Sequence, residues 1–342
     1  MSGTDLIAQR LAAAGVDDVT DVAPLDGGLI AVAGLAQRRS GTPVFAKTLE
    51  AGADGMFHAE AEGLHVLRER GGVRTPDVLH VGTDLLVLEA LVPRVDTPDL
   101  WEALAHAVAH LHSSTTGTRF GWHRDNYLGR MRQDNTWDDD GFEFFARRRL
   151  LRWLPEPRVQ AALDEQDRRA LEHLCDRLTE LLPPAPPCLT HGDLWSSNVI
   201  ATPDGAPALI DPAVSMTWAE VDVAMLWSEP RPPESDRFFD VYAEVVGLDA
   251  GWKDRMPLLF LRQELALVAM FDHDWGAAER VRALLVPYRR RLPSRVAPPA
   301  EPATPPAPAD APAPPADGLP VAGVASDALD ARPRRHALTD TP

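Results

Sequence analysis

Thr190-His191-Gly192-Asp193-Leu194-Trp195-Ser196-Ser197-Asn198, followed by Leu209-Ile210-Asp211, decides how this chain is read. Val199-Ile200-Ala201 and Ala208-Leu209-Ile210 are short strand-like runs, and Pro203-Asp204-Gly205 between them is a strong turn signal. A hairpin is expected. Its open end carries Asn198 before the first strand and Asp211 after the second, which antiparallel pairing brings to ~5 Å at Cβ. An amide oxygen and a carboxylate so placed suit Mg²⁺, which takes few protein ligands and keeps water and phosphate oxygens. The competing reading makes Asp193 and Asn198 turn formers and Asp211 a helix cap.

Asp193 precedes Asn198 with the Asp-x-x-x-x-Asn spacing of the kinase catalytic loop. Asp193 is then the expected base, accepting a hydrogen bond from an acceptor hydroxyl. His191 is expected to brace the loop. Positioning and metal electrostatics would supply most of the acceleration.

A second set of residues, earlier in the chain, points the same way. Lys47 ends a strand behind Val44, Phe45 and Ala46. On the helix that follows, Glu60 lies about 60° from the direction of Phe57 and Leu64, whereas Glu62 points almost oppositely. Glu60 is therefore expected to pair with Lys47 and hold it against the phosphates of ATP. Gly27-Gly28 could let backbone N–H groups approach phosphate, though an ordinary hairpin turn explains them as well. Glu89-Ala90-Leu91-Val92 is the expected hinge, with backbone groups reading the adenine edge. Asp222 is either a plain first-turn helix acid or a support under the catalytic loop.

The pattern around these residues is of the α+β class. Residues 5–14 read as a helix, 19–25, 29–35 and 43–48 as strands, 57–70 as a helix, and 78–81 and 85–89 as two more strands. Beyond residue 98 helices dominate, with candidates at 164–182, 218–227, 238–246 and 258–271, and all nine Trp fall after residue 100. The expected division is a small antiparallel-sheet lobe at 1–92, a mostly helical lobe at 93–292, and a disordered Pro/Ala-rich tail at 293–342.

The 342 residues carry 34 Lys plus Arg against 51 Asp plus Glu, a formal net charge of −17. Such a surface argues against nucleic acid and anionic membrane as partners. Two cysteines make no disulfide framework, and no apolar run approaches the ~20 residues of a membrane span. A cytoplasmic protein, monomer or weak dimer, is expected.

HGDLWSSN, IDPA, the Glu-Val-Asp-Val-Ala-Met-Leu run, and FGWHRDNYLG with a later NTW and FFARRRL resemble the fructosamine (ketosamine) 3-kinase family. That family lies in the aminoglycoside-phosphotransferase branch of the protein-kinase-like fold, and the resemblance spans about residues 5–290. It implies a two-lobed fold and ATP- and Mg²⁺-dependent phosphorylation of the 3-hydroxyl of a ketosamine, a small molecule or a glycated amine. It implies Asp193 as proton acceptor, Asn198 and Asp211 as metal ligands, Lys47 with Glu60 as the phosphate-positioning pair, residues 90–92 as the adenine contact, and Trp195 as a wall of the sugar site. Two departures stand out. Gly27-Gly28-Leu29-Ile30-Ala31 lacks the polar residue usual in the family's glycine loop, and the late aromatic region reads Phe271-Asp272-His273-Asp274-Trp275.

Other patterns carry less. His106 and His110 have metal-binding spacing but no third ligand nearby. Trp137-Asp138-Asp139-Asp140 is a solvated acidic loop or an attractor of a cationic amine. Three functions compete: a ketosamine 3-kinase, a kinase of another amine-bearing acceptor (aminoglycoside, amino sugar or choline-like), and a non-catalytic pseudokinase.

Overall fold

The computed structural model describes residues 2–25, 31–49 and 55–289. Gly27, Gly28 and the expected disordered tail at 293–342 lie outside them. Residues 1–292 form one compact unit.

Helix α1 (Gly3–Ala13) starts at a capping box, in which Ser2 and Asp5 bond reciprocally to each other's backbone N–H. Strands β1 (Val19–Leu25), β2 (Val32–Arg38) and β3 (Val44–Thr48) follow, then helix α2 (Met56–Glu69), β4 (Val78–Val81) and β5 (Leu85–Glu89). The sheet order is β1-β2-β3-β5-β4, antiparallel throughout. The period of two along β3 and β5 creates two cores. Val44, Ala46, Leu85 and Val87 pack with Ile7 and Leu11 of α1. Leu86 and Leu88 pack on the other face with Phe57 and Leu64 of α2, where Phe45 also packs. The same alternation puts Lys47 on the α2 side.

Helix α3 (Pro98–Ser114), capped by Thr97, opens the helical part. It leads through β6 (Asn126–Leu128), β7 (Met131–Gln133), α4 (Gly141–Phe145), α5 (Pro157–Ala162), α6 (Glu165–Cys175) and α7 (Leu178–Leu181). Strand β8 (Cys188–Thr190), β9 (Val199–Ala201), β10 (Pro207–Leu209) and β11 (Ser215–Thr217) come next. The chain then forms α8 (Glu220–Ser228), α9 (Asp236–Val246), α10 (Trp252–Met270) and α11 (Ala277–Leu285). A large apolar core joins α3, α6 and α8–α11, with Trp101, Trp153, Phe144, Phe145, Phe238 and Tyr242 almost wholly buried. β8 pairs with β11 and β9 with β10. The loops leaving these two ribbons, 191–198 and 210–214, therefore sit side by side.

Four elements differ from the sequence expectation. β2 runs to Arg38 rather than ending at 35. The expected helix at 164–182 is two helices, parted at Arg177 (φ −111°, ψ 7°). Leu171, Leu174 and Leu178 are buried on both sides of that break, so the apolar period reads straight through it. α10 begins at Trp252 rather than at 258, because Trp252 and Met256 are buried and Pro257 interrupts only the backbone bond its own nitrogen would have made. Helix α11, with Ala277, Val281 and Leu285 buried at i, i+4 and i+8, was not anticipated. No described helix is long and apolar enough to cross a membrane.

Candidate active site

Lys47 is the hub. Its Nζ lies 2.5 Å from Glu60 Oε2 and 2.9 Å from Asp211 Oδ1, so one ammonium joins the sheet, α2 and the 210–214 loop. Burial works against the charge on Lys47, but Asp211 and Glu60 outweigh it and raise its pKa. Burial pushes Glu60 up to about 7, against the pull of Lys47. The Asp211 side chain is about half exposed, 49%, so its desolvation is partial, and Lys47 holds it below the usual carboxylate range. Asp211 is thus the ionised acid of the pair. It is held at φ 55°, a left-handed conformation that a non-glycine residue adopts at a cost.

The hairpin forms, with its register one residue away from the expected pairing: Leu209 pairs with Val199 and Ile210 N donates to Asn198 O at 3.1 Å, so Asn198 faces Ile210 and Asp211 follows one residue on. Asn198 turns its amide nitrogen to Asp193, donating to the backbone oxygen at 2.8 Å and to Oδ2 at 3.3 Å. That leaves the amide oxygen as the atom that would face a cation. One ionised carboxylate and one amide oxygen are the hard donors Mg²⁺ takes alongside phosphate and water, so the residues fit the ion. Among the described residues no three His, Cys, Asp or Glu are grouped to hold a metal.

Burial pushes Asp193 up to about 7; Arg262 opposes this and Asp211 adds to it. The loop carrying Asp193 is fixed from several sides. Gly192 has φ 81°, and a Cβ there would lie 2.0 Å from Ala213 O, so only glycine lets the two loops touch. Asp222 is buried beneath the loop. Its Oδ2 accepts from His191 N at 2.7 Å and its Oδ1 from Gly192 N at 2.8 Å. Of the two sequence readings for Asp222, this geometry is that of the loop support.

His191 Nε2 bonds to Ile210 O at 3.0 Å, and its Nδ1 accepts from Asp193 N at 3.2 Å. Those partners require the neutral Nε2–H tautomer, and burial lowers the His191 pKa to the same effect. Trp195 is half-buried against the main core.

At the expected hinge, Val92 is bonded to the β9 strand. Its N–H donates to Ala201 O at 2.9 Å and its carbonyl accepts from Ala201 N at 3.0 Å. The Val92 N–H is therefore spent within the protein, while its carbonyl keeps a second lone pair. The Glu89 carboxylate is engaged by Arg74 at 2.5 Å and by Asp77 N at 3.0 Å. The acids after Trp137 are held locally: Asp140 caps α4, Asp138 accepts from Asp140 N, and Asp139 pairs with Arg119. His106 and His110 are both exposed.

Sequence reasoning missed four supports. His112 Nε2 contacts Asp222 Oδ2 at 3.2 Å, and His112 Nδ1 is hydrogen-bonded with Tyr242 OH at 2.7 Å. Buried Arg262 donates to Gly192 O, and Arg94 donates to Ser196 O at 2.6 Å and Val199 O at 2.8 Å. The only signal for His112 and Arg262 was a polar residue inside an otherwise apolar helix face, which by itself names no partner.

Comparison with known proteins places the chain. Residues 4–285 match the family described as fructosamine kinase. A protein of Enterococcus faecium named as a probable ketoamine kinase is 35% identical over 232 residues, 65% of this chain and 80% of that protein. The crystal structure of a candidate fructosamine-3-kinase from Thermobifida fusca superposes with a TM-score of 0.72 at 33% identity, covering 82% of this chain and 99% of that one. An aminoglycoside phosphotransferase structure, 18% identical with a TM-score of 0.55 over 82% of this chain and 98% of that one, shares the fold. The fold is thus the two-lobed kinase-like one.

Proposed function

We propose a reaction for this chain, which belongs to the fructosamine kinase family and is a phosphotransferase: transfer of the γ-phosphoryl group of ATP to the 3-hydroxyl of a ketosamine. The acceptor is a small glycated amine or a glycated side chain. The observation that carries the proposal is Lys47 held between Glu60 and Asp211 while Asn198 ties Asp193 beside them. Residues 1–92 serve the nucleotide and 93–292 the acceptor, in a cytoplasmic monomer or weak dimer.

Lys47, steadied by Glu60, neutralises charge on the ATP phosphates, and Ala90 and Leu91 take the adenine edge. Asn198 and Asp211 would hold Mg²⁺, which would supply neutralisation of the phosphate charge. Asp193 orients the acceptor hydroxyl and takes its proton, help worth ~10²–10⁴-fold. Its raised pKa keeps it near the pH at which a carboxylate is an effective base. His191 and Asp222 hold its loop. Trp195 forms one wall of the sugar site.

A second reading, a kinase of another amine-bearing acceptor, draws on the departure at 271–275. Trp275 is 47% exposed and held at φ 51°, a surface feature the family pattern does not foretell. Incubating the protein with Mg·ATP and a panel of ketosamines, aminoglycosides, choline and free sugars tests both. Turnover confined to ketosamines is expected. Turnover of another acceptor with none of ketosamines would replace the first reading by the second.

A further inference from the structure

The block at 120–128 and its companions Asn135 and Arg149 touch none of the groups placed around the phosphates, yet they form one connected structure. We infer that this block is a strut that holds α2 in place, with Glu62 as its anchor and thus a positioning residue for the Lys47–Glu60 pair. The kinetic consequence rests on the proposed phosphotransfer; the mechanical one does not.

Glu60 and Glu62 leave α2 roughly 160° apart, so the helix is held from opposite sides. On one side is Lys47. On the other, Glu62 Oε1 accepts from Trp122 Nε1 at 2.8 Å and lies 3.0 Å from His123 Nε2, while Oε2 pairs with Arg124. Arg124 also donates to His58 O at 3.2 Å, one turn earlier on the same helix. Three side chains consecutive in sequence therefore converge on one carboxylate.

The far end of the strut is fixed beside Asp211. Gly121 exchanges two backbone bonds with Met216, at 2.9 and 2.8 Å. Asn126 Nδ2 donates to Val214 O at 2.7 Å. Asn126 Oδ1 accepts from Gln133 and from Asn135, both at 3.0 Å, and Asn135 Oδ1 accepts from Arg149 at 2.6 Å. All four of these side chains are buried, and a satisfied buried polar network specifies one geometry. Gly63 completes the contact: a Cβ there would come 2.8 Å from Pro212 Cγ, so α2 lies directly on the residue after Asp211. The two carboxylates that hold Lys47 thus sit on elements bound to a common block.

The test compares Glu62→Ala and Glu62→Gln with wild type, in the full chain, by three readouts. Amide hydrogen exchange without ligand should quicken over residues 56–69 in Glu62→Ala and stay unchanged over α3 and α10. Acetylation of Lys47, followed by mass spectrometry, should accelerate several-fold as its pairing with Glu60 loosens. Steady-state turnover should fall about ten-fold, as expected for losing charge-assisted hydrogen bonds, with the acceptor KM unchanged. Glu62→Gln keeps an oxygen for Trp122 and should fall between; it also serves if the alanine variant fails to fold. Unchanged exchange over 56–69 would overturn the strut whatever the enzyme's activity. Quickened exchange with unchanged Lys47 labelling would reduce Glu62 to a packing role and overturn its positioning one. Wild type inactive on every acceptor, with exchange and labelling shifted as expected, would sink the kinase reading and leave the strut standing.

Discussion

Lys47→Met removes the ammonium that Glu60 and Asp211 share, and the stability lost should depend on pH in a way set by Glu60. Burial pushes Glu60 from 4.5 up to about 7 in the folded protein. An acid whose folded pKa exceeds its unfolded value costs stability once the pH passes the unfolded value, by about 1.4 kcal/mol per pH unit, until the folded pKa is reached. With Lys47 present the cost levels off near pH 7, at about 3 kcal/mol. Without it the folded pKa climbs further, so the cost keeps growing above pH 7. The other two groups add no slope there. Lys47 is raised above 10.5, so its stabilisation is complete at all lower pH. Asp211 is depressed below 3.8, so its stabilisation is complete at all higher pH. The variant should therefore be less stable than wild type by about 3–5 kcal/mol near neutrality, the cost of breaking a buried pair. The gap should widen by up to about 1.4 kcal/mol per unit from pH 7 to about pH 9. Urea unfolding of both proteins across that range measures it. A gap that stays flat would refute the assignment of Glu60 as the buried acid that depends on Lys47.

Asp193→Asn should lower turnover by ~10²–10⁴-fold while the ATP dissociation constant changes little, checked by isothermal titration beside kinetics. In wild type the rate should rise with pH up to about 7 and then level, since Asp193 must be ionised to take a proton and burial raises it to about 7. Asp222→Asn keeps one oxygen but loses an acceptor for His191 N or Gly192 N; a stability loss of about 1–3 kcal/mol is expected, read by chemical denaturation, with reduced turnover.

The site was legible where local spacing sets geometry. The turn at 203–205 produces the β9–β10 hairpin, whose register sets Asn198 opposite Ile210, one residue from the Asp211 that the sequence had placed there. The alternation along β3 puts Lys47 on the α2 side, and the helical period selects Glu60 over Glu62. What escaped depends on contacts between residues far apart in sequence. Arg262 reaches Gly192, and His112 joins Tyr242 to Asp222; no period or spacing along the chain announces such pairs. The engagement of the Val92 N–H escaped for the same reason, because its partner Ala201 lies in a strand far from it in sequence. The helix break at Arg177 was hidden because the leucine period continues across it.

Soaking crystals with Mn²⁺ and a non-hydrolysable ATP analogue, and locating the ion by its anomalous signal, tests the account most directly. The peak should lie between Asn198 Oδ1, the Asp211 carboxylate and the nucleotide phosphates, with Asp193 facing the terminal phosphate. An ion bound away from Asn198 and Asp211, or a nucleotide seated outside the cleft that Lys47 spans, would contradict it.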